Sequence, residues 1–250
     1  MALRIAFDLD GVLADMESEL VRQAELLFGE SMTRVLEQRA ETSPPKPDAG
    51  ETHDPSLENT PVIERLNMTA RQQRRLWKHV ESIENFWQGL DETEPGVVSK
   101  LYKVASERRW EIIFLTKRPQ SAGALAQIQS QRWLESKGFA LPSVYVVQKS
   151  RGRIAEALGL DIVIDDRPEN CLDVVTDSKA RAILIWRESD GQVPGAARRL
   201  GIGTVASVAK CLDVLIEIDS ENPSEPGVIE RVRRMLGFKT ASKQASPLAP

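Results

Sequence analysis

Phe7-Asp8-Leu9-Asp10-Gly11-Val12 closes the first apolar run of the chain, residues 3–7, and the reading of this stretch decides the fold. A short run of Leu, Ile, Ala and Phe, broken at once by aspartate, suits a strand buried on both faces with polar groups at its end. Similar runs stand at 112–115, 144–147, 162–164 and 182–186. Thr116 follows the second, Gln148 and Lys149 the third, and Asp165-Asp166 the fourth. Segments of helical periodicity lie between them, at 97–108, 123–137 and 151–159. This alternation predicts an α/β fold with a doubly wound parallel sheet. In such sheets ligands bind beyond the carboxyl ends of the strands. Four successive strands would therefore deliver carboxylates, a hydroxyl and an ammonium to one crevice.

Residues 15–95 break the alternation. Stretches 16–39 and 70–79 carry helical periodicity, and no strand pattern intervenes. Between them, 41–61 holds Pro44, Pro45, Pro47, Pro55 and Pro61 among polar residues, a composition that buries too little apolar surface to offset ordering. The expected organisation is a catalytic core of 1–14 and 96–217 with a small helical cap, 15–95, inserted after the first strand. The cap, placed as a lid over the end of that strand, contains a flexible Pro-rich loop at 41–61. Residues 218–250 are expected to form a helix at 228–236 and a disordered tail at 240–250.

The 250 residues include 33 basic and 37 acidic side chains, a net charge of -4. That balance disfavours a polynucleotide or membrane-surface binder, whose phosphate contacts need excess positive charge. The two cysteines, Cys171 and Cys211, have no zinc spacing and suit a reducing compartment. No apolar run reaches the length of a membrane span, and the start of the chain has no signal-peptide core. A soluble, cytoplasmic protein is expected.

The four stations Phe7-Asp8-Leu9-Asp10-Gly11-Val12, Phe114-Leu115-Thr116, Lys149 and Ile164-Asp165-Asp166 resemble, in order, the motifs of the haloacid dehalogenase (HAD) superfamily. The resemblance covers about 1–14 and 96–190 and implies a HAD-like, Rossmannoid core. It implies Asp8 as nucleophile and Asp10 as general acid/base in phosphomonoester hydrolysis. Thr116 would hydrogen-bond the phosphoryl group, and Lys149 would neutralise it and hold Asp8. Mg2+ would sit on Asp8, the backbone carbonyl of Asp10 and the pair Asp165 and Asp166, with Asp166 favoured as the direct ligand. The superfamily's dehalogenases lack a second aspartate at position 10, so its presence here points to phosphoryl chemistry.

Elementary chemistry supports the same division. A carboxylate attacking a phosphate dianion meets like-charge repulsion, which a hard cation and a basic side chain screen. The transition state spreads charge over the equatorial phosphoryl oxygens, where Thr116 and backbone amides near 9–11 can meet it. Gly11 permits the tight turn this requires. Two assignments stay open on the residues alone. Arg151 and Arg153 compete with Lys149, which lies nearest the strand end. Of Asp165 and Asp166, one would be a ligand and the other a helix cap or outer carboxylate.

Thr116-Lys117-Arg118-Pro119, Arg132-Trp133-Leu134-Glu135-Ser136-Lys137-Gly138-Phe139, Ile164-Asp165-Asp166-Arg167-Pro168-Glu169-Asn170 and Phe86-Trp87-Gln88-Gly89-Leu90 are similar to the 5′(3′)-deoxyribonucleotidase family. That narrower resemblance implies a helical cap at this insertion point and a nucleoside monophosphate as the small phosphorylated substrate. Phe86 and Trp87 could then stack a nucleobase, or could pack the cap onto the core. Lys117 and Arg118 could bind a substrate anion, or Arg118 could pair with a carboxylate such as Glu169. Arg71, Arg74, Arg75 and Lys78 read as a solvated helix face. Competing functions are a phosphatase for another metabolite, such as a sugar phosphate, and a non-catalytic regulatory protein on the same fold.

Overall fold

Strands β1 (Arg4–Asp8), β2 (Glu111–Thr116), β3 (Ser143–Val146), β4 (Ile162–Asp165), β5 (Arg181–Ile185) and β6 (Gly203–Val205) form a six-stranded parallel sheet in the order β3-β2-β1-β4-β5-β6. The computed structural model describes residues 2–29, 68–187 and 195–220. Five of the strands coincide with the expected apolar runs, shifted by at most one residue at either end. The sixth, Gly203–Val205, is three residues long and too brief to leave a pattern. All four residues of β4 are buried, as are the last four of β1 and β5, which is why they read as unbroken apolar runs. The strand order reverses between the parallel neighbours β1 and β4, with Phe7 opposite Ile164 in register. This is the topological switch point, where open α/β sheets hold ligands.

The described helices are α1 (Met16–Phe28), α2 (Ala70–Ser82), α3 (Val97–Arg108), α4 (Ala126–Ser136), α5 (Arg151–Leu158), α6 (Pro168–Asp177), α7 (Gly195–Arg199) and α8 (Val208–Ser220), with a 3-10 turn at Phe86–Gln88. Their starts follow from capping chemistry. Asp15 accepts the Ser18 N–H at 3.0 Å, and Ser150 accepts that of Arg153 at 3.2 Å. Thr69 and Gln72 cap each other reciprocally. Of the helix expected over 16–39, Met16–Phe28 forms α1, which ends at Gly29 with φ +99°, and residues 30–39 lie outside the described residues. The one expected over 123–137 starts only at Ala126, because Gly123 has φ +92° and the Ala124 N–H is spent on Asn85 Oδ1. The expected loop at 41–61, helix at 228–236 and tail at 240–250 lie outside the described residues.

The chain divides into two compact units. One takes the described residues of Met1–Asp8, Lys103–Ile113 and Lys149–Pro250; the other takes those of Leu9–Tyr102 and Phe114–Gln148. In the first, α5 lies against α6 so closely that a Cβ at Gly152 would come within 2.2 Å of the Asp173 carbonyl oxygen. In the second, α1 and α2 meet through Gln23 and His79, whose side chains are 3.0 Å apart. Cys171 and Cys211 are buried and form no disulfide. Among the described residues, no helix is long and apolar enough to cross a membrane.

Candidate functional site

In the first unit, Asp8 and Asp165 are the last residues of β1 and β4, one position beyond the paired Phe7 and Ile164. Both are buried, at 5% and 1% exposure. Arg151, the first residue of α5, is buried with them. Its Nη2 donates to Asp8 Oδ1, and its Nε lies 3.6 Å from Asp165 Oδ2. Asp165 is fixed further by the Arg167 N–H, 2.9 Å from Oδ1, and by Asn170 Nδ2, 3.0 Å from both oxygens. Burial pushes the Asp165 carboxyl above its ordinary range, while the Arg151 charge and the Arg167 and Asn170 hydrogen bonds pull the other way. Burial also raises the thiol of Cys171, helped by the charge of Asp165.

The cation on the first carboxylate is thus Arg151, where Lys149 was expected. Lys149 is exposed on the approach to α5, two residues short of the helix start. Ser150 caps that helix, so the side chain that turns inward is the one on its first residue. Arg153, the other competitor, is exposed and pairs with Asp177 at 3.7 Å. Asp166 is half-buried beside the fully enclosed Asp165.

The second unit holds the other carboxylate. Gly11, at φ +80°, turns the chain after Asp10, and its N–H donates to the Ala14 carbonyl at 2.9 Å. Arg118 Nε reaches both Asp10 oxygens, at 3.1 and 2.9 Å, and Nη2 reaches Oδ1 at 2.7 Å. Thr116, the last residue of β2, donates its hydroxyl to Asp10 Oδ2 at 3.1 Å. Arg118 is therefore a partner of Asp10, not of Glu169, and its side chain, with no exposed surface, is not presented to a substrate anion. Lys117 beside it is exposed.

Phe86 and Trp87 are core residues, at 4% and 0% exposure, packed edge to face with centroids 4.9 Å apart. The Trp87 indole N–H donates to the Pro119 carbonyl at 3.0 Å, and the Trp87 ring lies 5.0 Å from the Arg118 guanidinium carbon. Of the two readings of this pair, packing accounts for both rings. Ser130 and Asn170, which hold Arg118 and Asp165, were given no role by sequence reasoning, although Asn170 closes the stretch 164–170 that contains Asp165.

Among the described residues no three His, Cys, Asp or Glu side chains cluster as a metal site. The expected ligand set needs fewer side chains, because one ligand is a backbone carbonyl. Asp8 and Asp165 offer the oxygen donors that a hard cation takes, and in this structure both face the guanidinium of Arg151.

Neither a protein-family model nor a curated protein matches the chain. Solved structures do. A putative beta-phosphoglucomutase from Thermotoga maritima aligns with a TM-score of 0.51 at 17% identity, over 86% of this chain and 99% of its own. A dehalogenase captured with an intermediate complex aligns at 0.50 and 11% identity, over 85% and 96%. A HAD family hydrolase from Deinococcus radiodurans aligns at 0.49 and 14% identity, over 87% and 96%. At these identities the likeness is one of fold: the sheet and its helices form the HAD-like, Rossmannoid architecture.

Proposed function

We propose that the chain is a Mg2+-dependent phosphomonoester hydrolase that works through an aspartyl-phosphate on Asp8, with nucleoside monophosphates as the first substrate class. The observation that carries this reading is the buried trio at the switch point, Asp8, Arg151 and Asp165. Two carboxylates withdrawn from water around one cation form a site for an anionic reaction centre, not a surface ion pair.

In the first step an Asp8 carboxylate oxygen attacks phosphorus while the ester P–O bond breaks. Asp10, as the acid, gives its proton to the departing oxygen. In the second step water attacks the phosphoaspartate, Asp10 takes a proton from that water, and phosphate leaves with Asp8 restored. Arg151 holds Asp8 in place, Lys149 meets the phosphoryl oxygens, and Thr116 can offer its hydroxyl to them. Mg2+ would be held by Asp8, the Asp10 carbonyl and Asp165 or Asp166. Bound there it would offset the charge that builds on the phosphoryl group. Lys117, exposed beyond β2, remains the candidate for a second substrate anion. Nucleobase stacking on Phe86 and Trp87 is not part of the proposal, since both rings are enclosed.

Phosphate release from a panel of nucleoside monophosphates and sugar phosphates, with Mg2+ and with chelator, tests this. Chelator-sensitive release favouring nucleotides is expected. Release from sugar phosphates alone would keep Asp8 and discard the nucleotide. Silence across the panel would remove the hydrolase reading and leave a binding role on this fold.

A further inference from the structure

Asp8 and Asp165 are the buried carboxylates offered to a divalent cation, and both are already in contact with Arg151. Its Nη2 donates to Asp8 Oδ1 and its Nε lies 3.6 Å from Asp165 Oδ2, with all three side chains buried. The guanidinium and an ion with oxygen ligands draw on the same lone pairs. A carboxylate has about four such positions, and those of Asp165 are nearly spent. Oδ1 accepts from the Arg167 N–H at 2.9 Å and from Asn170 Nδ2 at 3.0 Å, and Oδ2 accepts from Asn170 Nδ2 at 3.0 Å.

The same contacts say which of them yields. The Arg167 N–H is backbone at the cap of α6, and Asn170 lies in the first turn of that helix, so neither withdraws without disturbing it. Arg151 makes the longest of these contacts, reaches Asp165 through a long side chain, and carries a charge that repels any cation bound beside it. We propose that Arg151 sets how tightly the site holds Mg2+: by competing for Asp8 and Asp165 it keeps the affinity low. Two buried carboxylates side by side need a positive charge in the fold at all times. The arginine supplies that charge whether or not an ion is bound, and the ion binds against it.

This rests on the Mg2+ of the hydrolase reading, and a titration separates the two. Full-length wild type, Arg151→Met and Lys149→Met are titrated with MgCl2 by calorimetry, then unfolded thermally with Mg2+ and with chelator. Neither measurement needs a substrate. Arg151→Met is expected to bind Mg2+ about tenfold or more tightly than wild type, because a like charge beside the ion is gone. At the same Mg2+ concentration it should gain more thermal stability over its chelator value than wild type does, as mass action requires. Lys149→Met removes the same charge from an exposed position two residues earlier, and should change the affinity less than about twofold.

Mg2+ binding in Arg151→Met that is no tighter than in wild type, or an equal gain in Lys149→Met, would overturn the proposal while leaving the hydrolase reading intact. No Mg2+ binding by any of the proteins would remove the metal from both. Should Arg151→Met not fold, Arg151→Gln carries the test. Its amide can still donate to Asp8 but brings no charge, and the same gain of about tenfold is expected; an unchanged affinity would again overturn the proposal.

Discussion

Arg151 and Asp8 stand 143 residues apart in sequence and meet in a buried ion pair, with Nη2 donating to Oδ1. The pair joins the start of α5 to the carboxyl end of β1, the strand at which the strand order reverses. Its energetic meaning is asymmetric. Removing one partner strands a charge away from water, a loss of about 3–5 kcal/mol in comparable pairs.

Arg151→Met is therefore expected to lower both stability, by about 3–5 kcal/mol, and kcat, by about 10²-fold. Lys149→Met is expected to lower turnover while leaving stability within about 0.5 kcal/mol, since Lys149 is exposed. Thermal unfolding and steady-state rates on the two variants check this. A stability loss in Lys149→Met with none in Arg151→Met would reverse the assignment.

Asp8→Asn should abolish turnover and remain folded. The amide keeps the shape and can still accept from Arg151, but it is a poor nucleophile. Circular dichroism and phosphate release together decide it; substantial residual activity would take Asp8 out of the nucleophile's role.

Asp10→Asn should slow poor leaving groups far more than activated aryl phosphates, because only the former need a proton from the acid. The comparison is between kcat on an alkyl phosphate and on an aryl phosphate. An equal loss on both would argue that Asp10 is not the acid.

Gly152→Ala tests the packing that sets Arg151. A methyl group there would meet the Asp173 carbonyl oxygen at 2.2 Å, a backbone atom that cannot rotate away. About 1–3 kcal/mol of destabilisation is expected, with reduced turnover because the first turn of α5 carries Arg151. Chemical denaturation gives the first quantity, and an unchanged midpoint would show that α5 and α6 separate freely.

The sheet was legible because its central strands are buried on both faces and so read as continuous apolar runs, each ending in the polar residue that matters: Asp8, Thr116, Asp165. Helix α8 also carries a legible pattern. Val208, Cys211, Leu212, Leu215 and Ile218 are buried at helical spacing, behind a Ser207 cap that accepts the Lys210 N–H at 3.1 Å. For α6, the corresponding mark is Pro168 at its start. The pairings were another matter. Nothing local tells Arg118 that its carboxylate is Asp10, 108 residues away, or distinguishes Arg151 from Lys149 two positions before it. The helix starting at Arg151 decides that, through the direction its first side chain must take.

The most direct test of the central claim is to map the covalent intermediate. The protein is mixed with an aryl phosphate and Mg2+, quenched in acid during turnover, and its peptides are weighed for an added phosphoryl group. The account predicts an acid-stable, base-labile adduct on the peptide containing Asp8, absent from Asp8→Asn. Turnover with no adduct on that peptide, or an adduct that survives in Asp8→Asn, would contradict it.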